Sequence, residues 1–246
     1  MIVWHIGGDG QIGPAQAILN KANGARLVTF DARPEVGLPV CFDDKEGEAD
    51  FYITKNAMAS SLLRSHPAAH AEQCLWEDNN RVDVWGDITA VDRVERVRTT
   101  TVDAYVAAGH EAPDVLSIDA QGAETRILRG AEKTLANVLC VITEVEFSEI
   151  YAGQGLLDHQ MTFLRGHGFR LGRLYNEQTW HPGEPKGQGF LTVAEAVWFR
   201  HERLEELGPL QLMDLTTIAA SFDFVSFALK VWTMASRKIE LAGGRT

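Results

Sequence analysis

Three absences narrow the reading before any motif is considered. Only three cysteines occur in 246 residues, Cys41, Cys74 and Cys140. They show no paired spacing, so no disulfide framework is expected and the chain suits a reducing compartment. No long uncharged hydrophobic run is present. The most apolar stretch near the C-terminus, with Ile218, Phe222, Val225, Leu229 and Trp232, is interrupted by Asp223, Lys230 and Arg237, which argues against a membrane span. Basic residues are the minority, 23 Lys and Arg against 34 Asp and Glu for a net charge of -11. That balance argues against a nucleic-acid partner, whose phosphates are held by clustered Lys and Arg. The opening MIVWHIGG lacks a basic segment ahead of its apolar residues and reaches glycine at once, so a cytoplasmic location is expected.

What is present is a globular composition, 45% hydrophobic, ample for a sizeable core. The chain is organised around Asp114–Gly130, DVLSIDAQGAETRILRG. Val115, Leu116 and Ile118 read as a buried strand, Asp119 stands at its tip, and Gln121-Gly122 makes a sharp turn. Ala123, Ile127, Leu128, Ala131 and Leu135 then recur at helical spacing. Ligands of open α/β sheets bind outside the carboxyl ends of such strands, which puts Asp119 at a ligand crevice. Asp119 and Glu124 are also residue types that cap a helix N-terminus.

A second strand–turn–helix opens the chain. Ile2, Val3, Trp4 and Ile6 form a strand that runs into Gly7-Gly8-Asp9-Gly10-Gln11-Ile12-Gly13, with a helical segment from about Pro14 to Asn20. Such glycines let a ligand approach the backbone at a helix N-terminus. Leu27–Asp31 is the next strand, and Asp31 at its tip is spaced to reach a ribose hydroxyl pair. Together they read as a half-site for a nucleoside cofactor. Gly8, Gly10 and Gly13 satisfy G-x-G-x-x-G, a pattern shared by dinucleotide and S-adenosylmethionine sites. His5 reads as a buried, hydrogen-bonded strand residue.

Further along, Val40–Asp43 reads as a strand and Ala49–Thr54 as its hairpin return. His66, His70 and Cys74 fall at i, i+4 and i+8, which a continuous helix would align, although a surface helix is the simpler reading. Val138–Phe147 is a long strand whose Glu144 and Glu146 share one side; they either reach the crevice or pair with a cation such as Arg126 or Arg165. Leu156–His167 is an amphipathic helix, Phe169–Tyr175 a strand, and Asn176–Gly189 a long, lid-like loop holding His181. Ala196–Phe199 is the last strand, antiparallel to its predecessor, and Asp214–Ile239 a closing helix.

The segments IDAQGAETRILRGAEKTL, ITEVEFSEIYAGQ and FLRGHGF, with GEADFYITKNAMASSLL and VRTTTVDAY upstream, resemble the FkbM-type methyltransferases, a branch of the class I S-adenosylmethionine-dependent enzymes. The resemblance covers roughly residues 1–200. It implies a Rossmann-like α/β fold, a mostly parallel seven-stranded sheet with an antiparallel last strand and helices on both faces. It places a methyltransferase domain at 1–202 and a helical extension at 203–246 that docks on the core or pairs two copies. The implied reaction is O-methylation of a sugar or other small hydroxylated acceptor with S-adenosyl-L-methionine. Gly7, Gly8, Asp9 and Asp31 are the expected cofactor contacts, with Asp43 and Ser61 beside the adenine. Asp119, His181 and Glu144 are the candidates for the base. No metal is required by the spacing, although Asp119, Glu144 and Glu146 could gather around Mg²⁺. Two other readings stand beside this one. A nicotinamide oxidoreductase rests on the glycine pattern but finds no Tyr-x-x-x-Lys pair, and a non-catalytic scaffold would use the same fold.

Overall fold

The computed structural model describes residues 1–76 and 81–243, without the side chains of Asp9 and Trp76. In chain order the strands are β1 (Ile2–Gly7), β2 (Arg26–Asp31), β3 (Leu38–Pro39), β4 (Cys41–Phe42), β5 (Gly47–Thr54) and β6 (Gln73–Trp76). They continue as β7 (Arg81–Val84), β8 (Val91–Thr100), β9 (Val115–Asp119), β10 (Cys140–Glu146), β11 (Phe169–His181) and β12 (Phe190–Arg200). The helices are α1 (Gln16–Lys21), α2 (Trp85–Ile88), α3 (Val102–Ala107), α4 (Glu124–Arg129), α5 (Leu157–Gly166), α6 (Pro209–Ser221) and α7 (Val225–Gly243).

Alternation along the strands decides which side chains face which layer. Val3, Val115, Cys140, Ile142 and Val197 point to one face and pack with Ile18 of α1, Leu212, Leu215 and Ile218 of α6, and Val231 and Ala235 of α7. Trp4, Ile6, Leu116, Ile118, Val141 and Trp198 point to the other and meet Val102 of α3, Ile127 and Leu128 of α4 and Leu164 of α5. Strands covered on both faces are apolar at successive positions, as in the VLCVI run that leads into β10 and forms its first half.

The result is a mixed α/β fold whose large sheet runs β3-β2-β1-β9-β10-β12-β11-β6-β7. Its core is parallel: β1 pairs with β2 and β9, and β9 with β10. Strand β12 lies antiparallel between β10 and β11. The sheet has nine strands rather than seven, because the β6–β7 hairpin adds to the edge of β11. A small core of Cys74, Trp85, Tyr151 and Trp180 explains the addition, with Trp85 tilted against Trp180 at 4.8 Å between ring centroids.

Four local expectations are corrected. Strands β4 and β5 do not form a hairpin; both pair with β8 in a separate three-stranded sheet, where Arg96 of β8 reaches Asp50 of β5 at 2.8 Å. Residues His66, His70 and Cys74 share no helix, since Pro67–Ala69 is one 3-10 turn and Cys74 belongs to β6. The stretch after Tyr175 is largely strand: β11 passes an irregularity at Asn176 (φ 49°) and runs on to His181. The closing helix breaks at Phe222–Phe224, where Asp223 takes φ 63° and the two aromatics pack on Phe199 at 6.0 and 4.8 Å. Among the described residues no helix is long and apolar enough to cross a membrane.

Candidate functional site

Parallel strands β2, β1 and β9 are neighbours, so their carboxyl ends bring Asp31, Gly7 and Asp119 to one rim of the sheet. In register, Gly7 stands directly beside Asp119. Gly7 has φ 83°, and a Cβ there would land on the carbonyl oxygen of Asp119. At Gly8, φ 68°, a Cβ would come 2.5 Å from His5 Nε2 and 3.2 Å from Asp119 Oδ2. Only glycine lets the turn lie this close to the tip of β9. His5 is a buried strand residue with Nδ1 2.9 Å from Ser117 Oγ, and burial lowers its pKa to about 4.

The rim opens on a crevice that is partly open to solvent. Gly7, Gly8, Asp31 and Asp119 all line it. Its apolar wall is Phe42, Phe51, Leu62 and Ile127. Arg33, Ser60 and Gln121 also line it; none of the three is a site residue on the sequence reading, which gives Gln121 only a place in the turn. The signal for Arg33 lay two residues past Asp31, whose carboxylate it grips through Nε and Nη2, both at 3.0 Å. Gln121 sits in the turn at the strand tip with φ 53°.

Behind Asp119 lies a group of acids, Glu124 and Glu146 buried and Glu144 partly so. The Gln121 side-chain amide is 2.8 Å from Asp119 Oδ1 and 3.1 Å from Glu144 Oε2. Its other end is 2.9 Å from the Tyr151 hydroxyl. Glu124 is fully buried and its Oε1 accepts from the backbone of Ala120 at 2.7 Å and of Gly122 at 3.3 Å, so it does cap the turn into α4. Asp119, Glu124 and Glu144 place one oxygen each within 4.8 Å of one another. Glu124, rather than Glu146, thus completes the carboxylate group; Glu146 is buried with neither oxygen hydrogen-bonded. Neither Glu144 nor Glu146 draws on Arg126, which is taken by Asp43.

Burial pushes the whole group toward the neutral acid. It raises Asp119, with Asp31 adding repulsion, and lifts Glu124 to about 8. Glu144 and Glu146 are raised well above the usual carboxylate range by burial and by their acidic neighbours. Glu195, beside Glu144 on β12, rises to about 7, again through burial. A carboxyl held in this way is a better proton acceptor than an exposed one once it is ionised.

Three expected site residues are placed elsewhere. Asp43 is buried in a bidentate ion pair with Arg126, at 2.7 and 2.5 Å, and does not line the crevice. Ser61 sits behind the wall, its hydroxyl donating to the Gln121 carbonyl at 2.6 Å and accepting from the Leu63 amide at 2.9 Å; its neighbour Ser60 lines the crevice instead. His181 is not in a loop. It ends β11, buried and opposite Gln73 of β6, and is absent from the crevice lining. The side chain of Asp9 lies outside the described residues.

Residues 18–171 match the family model of the methyltransferase FkbM domain. No curated protein and no solved structure matches the chain.

Proposed function

The chain belongs to the FkbM methyltransferase family, and from that premise we propose that it carries a methyl group from S-adenosylmethionine to a hydroxyl oxygen of a sugar or other small molecule. Family membership implies a methyltransferase that uses S-adenosylmethionine; the oxygen acceptor is our reading. The observation that carries it is the convergence of a glycine turn, a ribose-type acid and a strand-tip carboxylate on one crevice at the ends of β1, β2 and β9. The residues fit such a cofactor: the backbone at Gly7 and Gly8 is bare where a Cβ would fill the cradle, and the crevice has an apolar wall for a flat base. The family assignment displaces the nicotinamide reading.

In this mechanism Gly7 and Gly8 admit the cofactor to the backbone, Asp31 accepts from the ribose hydroxyls, and Phe42 and Phe51 flank the base. S-adenosylmethionine supplies, when bound, an electrophilic methyl carbon whose bond to sulfur breaks as the acceptor oxygen attacks. Asp119 is the proton acceptor: it lines the crevice, stands beside Gly8, and burial raises its basicity. Glu144 orients it through Gln121. Holding donor and acceptor in line supplies on the order of 7–11 kcal/mol of barrier reduction in favourable cases. The remaining partner of this reading is a second copy of the chain. Val225, Leu229, Trp232 and Ile239 are each at least half exposed along α7 and recur at the seam spacing that lets a helix pack against its own copy across a twofold axis.

The deciding experiment is calorimetric titration with S-adenosylmethionine of the wild type and Asp31→Ala. Saturable binding lost in the variant supports the site and opens a screen of hydroxylated acceptors, read by S-adenosylhomocysteine release. No binding to either protein overturns the enzymatic reading and leaves a scaffold role.

A further inference from the structure

The carboxylate at the tip of β2 spends most of its acceptor capacity inside the protein. Asp31 is only 5% exposed, and three donors reach it, all from Arg33. The Arg33 backbone amide lies 2.8 Å from Oδ1 and closes an Asx turn, in which an acid bonds the chain two residues on. Nε lies 3.0 Å from the same oxygen, and Nη2 lies 3.0 Å from Oδ2. The far end of the guanidinium is held too, by Nη1 donating to the Ala57 carbonyl at 3.2 Å. The fork is thus anchored at both ends, between β2 and the 3-10 turn Ala57–Ala59.

The acceptor positions of Asp31 can be counted. An ionised carboxylate offers about four, two on each oxygen. On Oδ1 both are used, one by the backbone amide and one by Nε. On Oδ2 the fork takes one and leaves one. A carboxylate that grips both hydroxyls of a ribose, one with each oxygen, needs an open position on each. Asp31 keeps an open position on Oδ2 alone. Both residues line the crevice at the ends of β1, β2 and β9, and the Arg33 side chain is itself only 11% exposed.

We propose that Arg33 is a positioning residue that sets ribose specificity: it fills Oδ1 of Asp31 and leaves Oδ2 to accept from one hydroxyl of the cofactor. This rests on the methyl-transfer reading above and narrows its ribose contact from a pair of hydroxyls to one. The hydroxyl that Asp31 takes is held by a charge-assisted bond, and the other is not. The site therefore tells apart two ribose positions that an unobstructed acid would hold alike.

The probes are S-adenosylhomocysteine and its 2′-deoxy and 3′-deoxy forms, titrated calorimetrically into the intact wild type and Arg33→Met. In the wild type, loss of one hydroxyl should weaken binding about tenfold or more, as for a hydrogen bond to a charged group. Loss of the other should change it much less. In Arg33→Met a position on Oδ1 is freed, so the two deoxy forms should weaken alike. A purely structural role for Arg33 would lower all three affinities together and leave their ratios unchanged. Equal losses in the wild type, or an asymmetry that persists in Arg33→Met, overturn the proposal and keep the cofactor site. No binding of S-adenosylhomocysteine to the wild type overturns the transferase reading and this inference with it. Circular dichroism identifies an Arg33→Met chain that fails to fold; Arg33→Lys, which keeps the charge but not the fork, then stands in.

Discussion

Asp43 and Arg126, 83 positions apart, meet in a two-pronged ion pair that ties the end of β4 to the helix following β9. Asp43 is buried and Arg126 mostly so. Removing one partner strands the other without a counter-ion. Asp43→Ala and Arg126→Ala should therefore each destabilise by roughly 3–5 kcal/mol. The double variant should cost much less than their sum, as urea denaturation in a double-mutant cycle would show. Additive losses would mean that the two residues act independently.

The glycine turn allows a graded test. Gly7→Ala places a methyl on the Asp119 carbonyl, a backbone atom that cannot move aside, and should prevent folding or lower the melting temperature by many degrees. Gly10→Ala shares a positive φ of 79° but meets only Val36 at 3.9 Å. It should cost only about 1–2 kcal/mol, the ordinary left-handed penalty. Equal melting of the two variants would remove the close approach of the turn to β9.

His5 titrates with a definite sign. Its pKa falls from the ordinary 6.5 to about 4 on folding, through burial, against smaller opposing contributions from hydrogen bonding to the backbone of Gln11 and Gly7 and from the charge of Asp31. Between those values the unfolded chain binds a proton that the folded chain refuses, so this contribution is present at neutral pH and lost as pH falls. The stability of wild type minus that of His5→Gln should shrink by about 2 kcal/mol from pH 7 to pH 5. A difference that is flat with pH would place the imidazole in water.

Asp119→Asn keeps the shape of the side chain and removes its basicity. Turnover should drop about 10²–10⁴-fold, while S-adenosylmethionine binding by calorimetry stays within a few-fold. Turnover near wild type would pass the role of base to Glu144.

The outer face of α7 predicts a dimer. Light scattering should give twice the chain mass for the wild type and a single chain mass for Trp232→Lys, with the circular dichroism spectrum unchanged. A monomeric wild type would leave the face without the assigned partner.

The parallel core was legible in the sequence because each strand announces itself through a local pattern: an apolar run, an acid or glycine at its end, then helical spacing. β1, β2, β9 and β10 all follow that rule, and it places Gly7, Gly8, Asp31 and Asp119 at or just past the strand ends, where the fold has them. What was missed depends on contacts between distant segments. β5 looks like the return of a hairpin because the Lys45–Gly47 turn is a good hairpin turn, yet the ten-residue β8 offers a longer ladder. β11 reads as a loop after Tyr175 because Asn176 and the polar residues beyond it satisfy turn rules. The extension is held by Trp180 packing on Trp85, which lies nearly a hundred positions earlier. Asp43 resembles a ligand residue in sequence, and only the fold reveals that Arg126 has claimed it. Gln121 was read as a turn residue; its side chain joins Asp119 to Glu144, a link invisible before the two strands stand side by side.

The three cysteines acquire a use from where the fold puts them. Cys41 lies in the small sheet, Cys74 in the edge hairpin and Cys140 at the centre of the large sheet, each buried and unbridged. Burial lifts Cys41 and Cys74 to about 12 and Cys140 higher still, so none is a reactive thiolate in the intact molecule. Each can be alkylated only after its own neighbourhood has opened. A single labelling time course, resolved by peptide, would therefore clock the local opening of hairpin, small sheet and sheet centre separately.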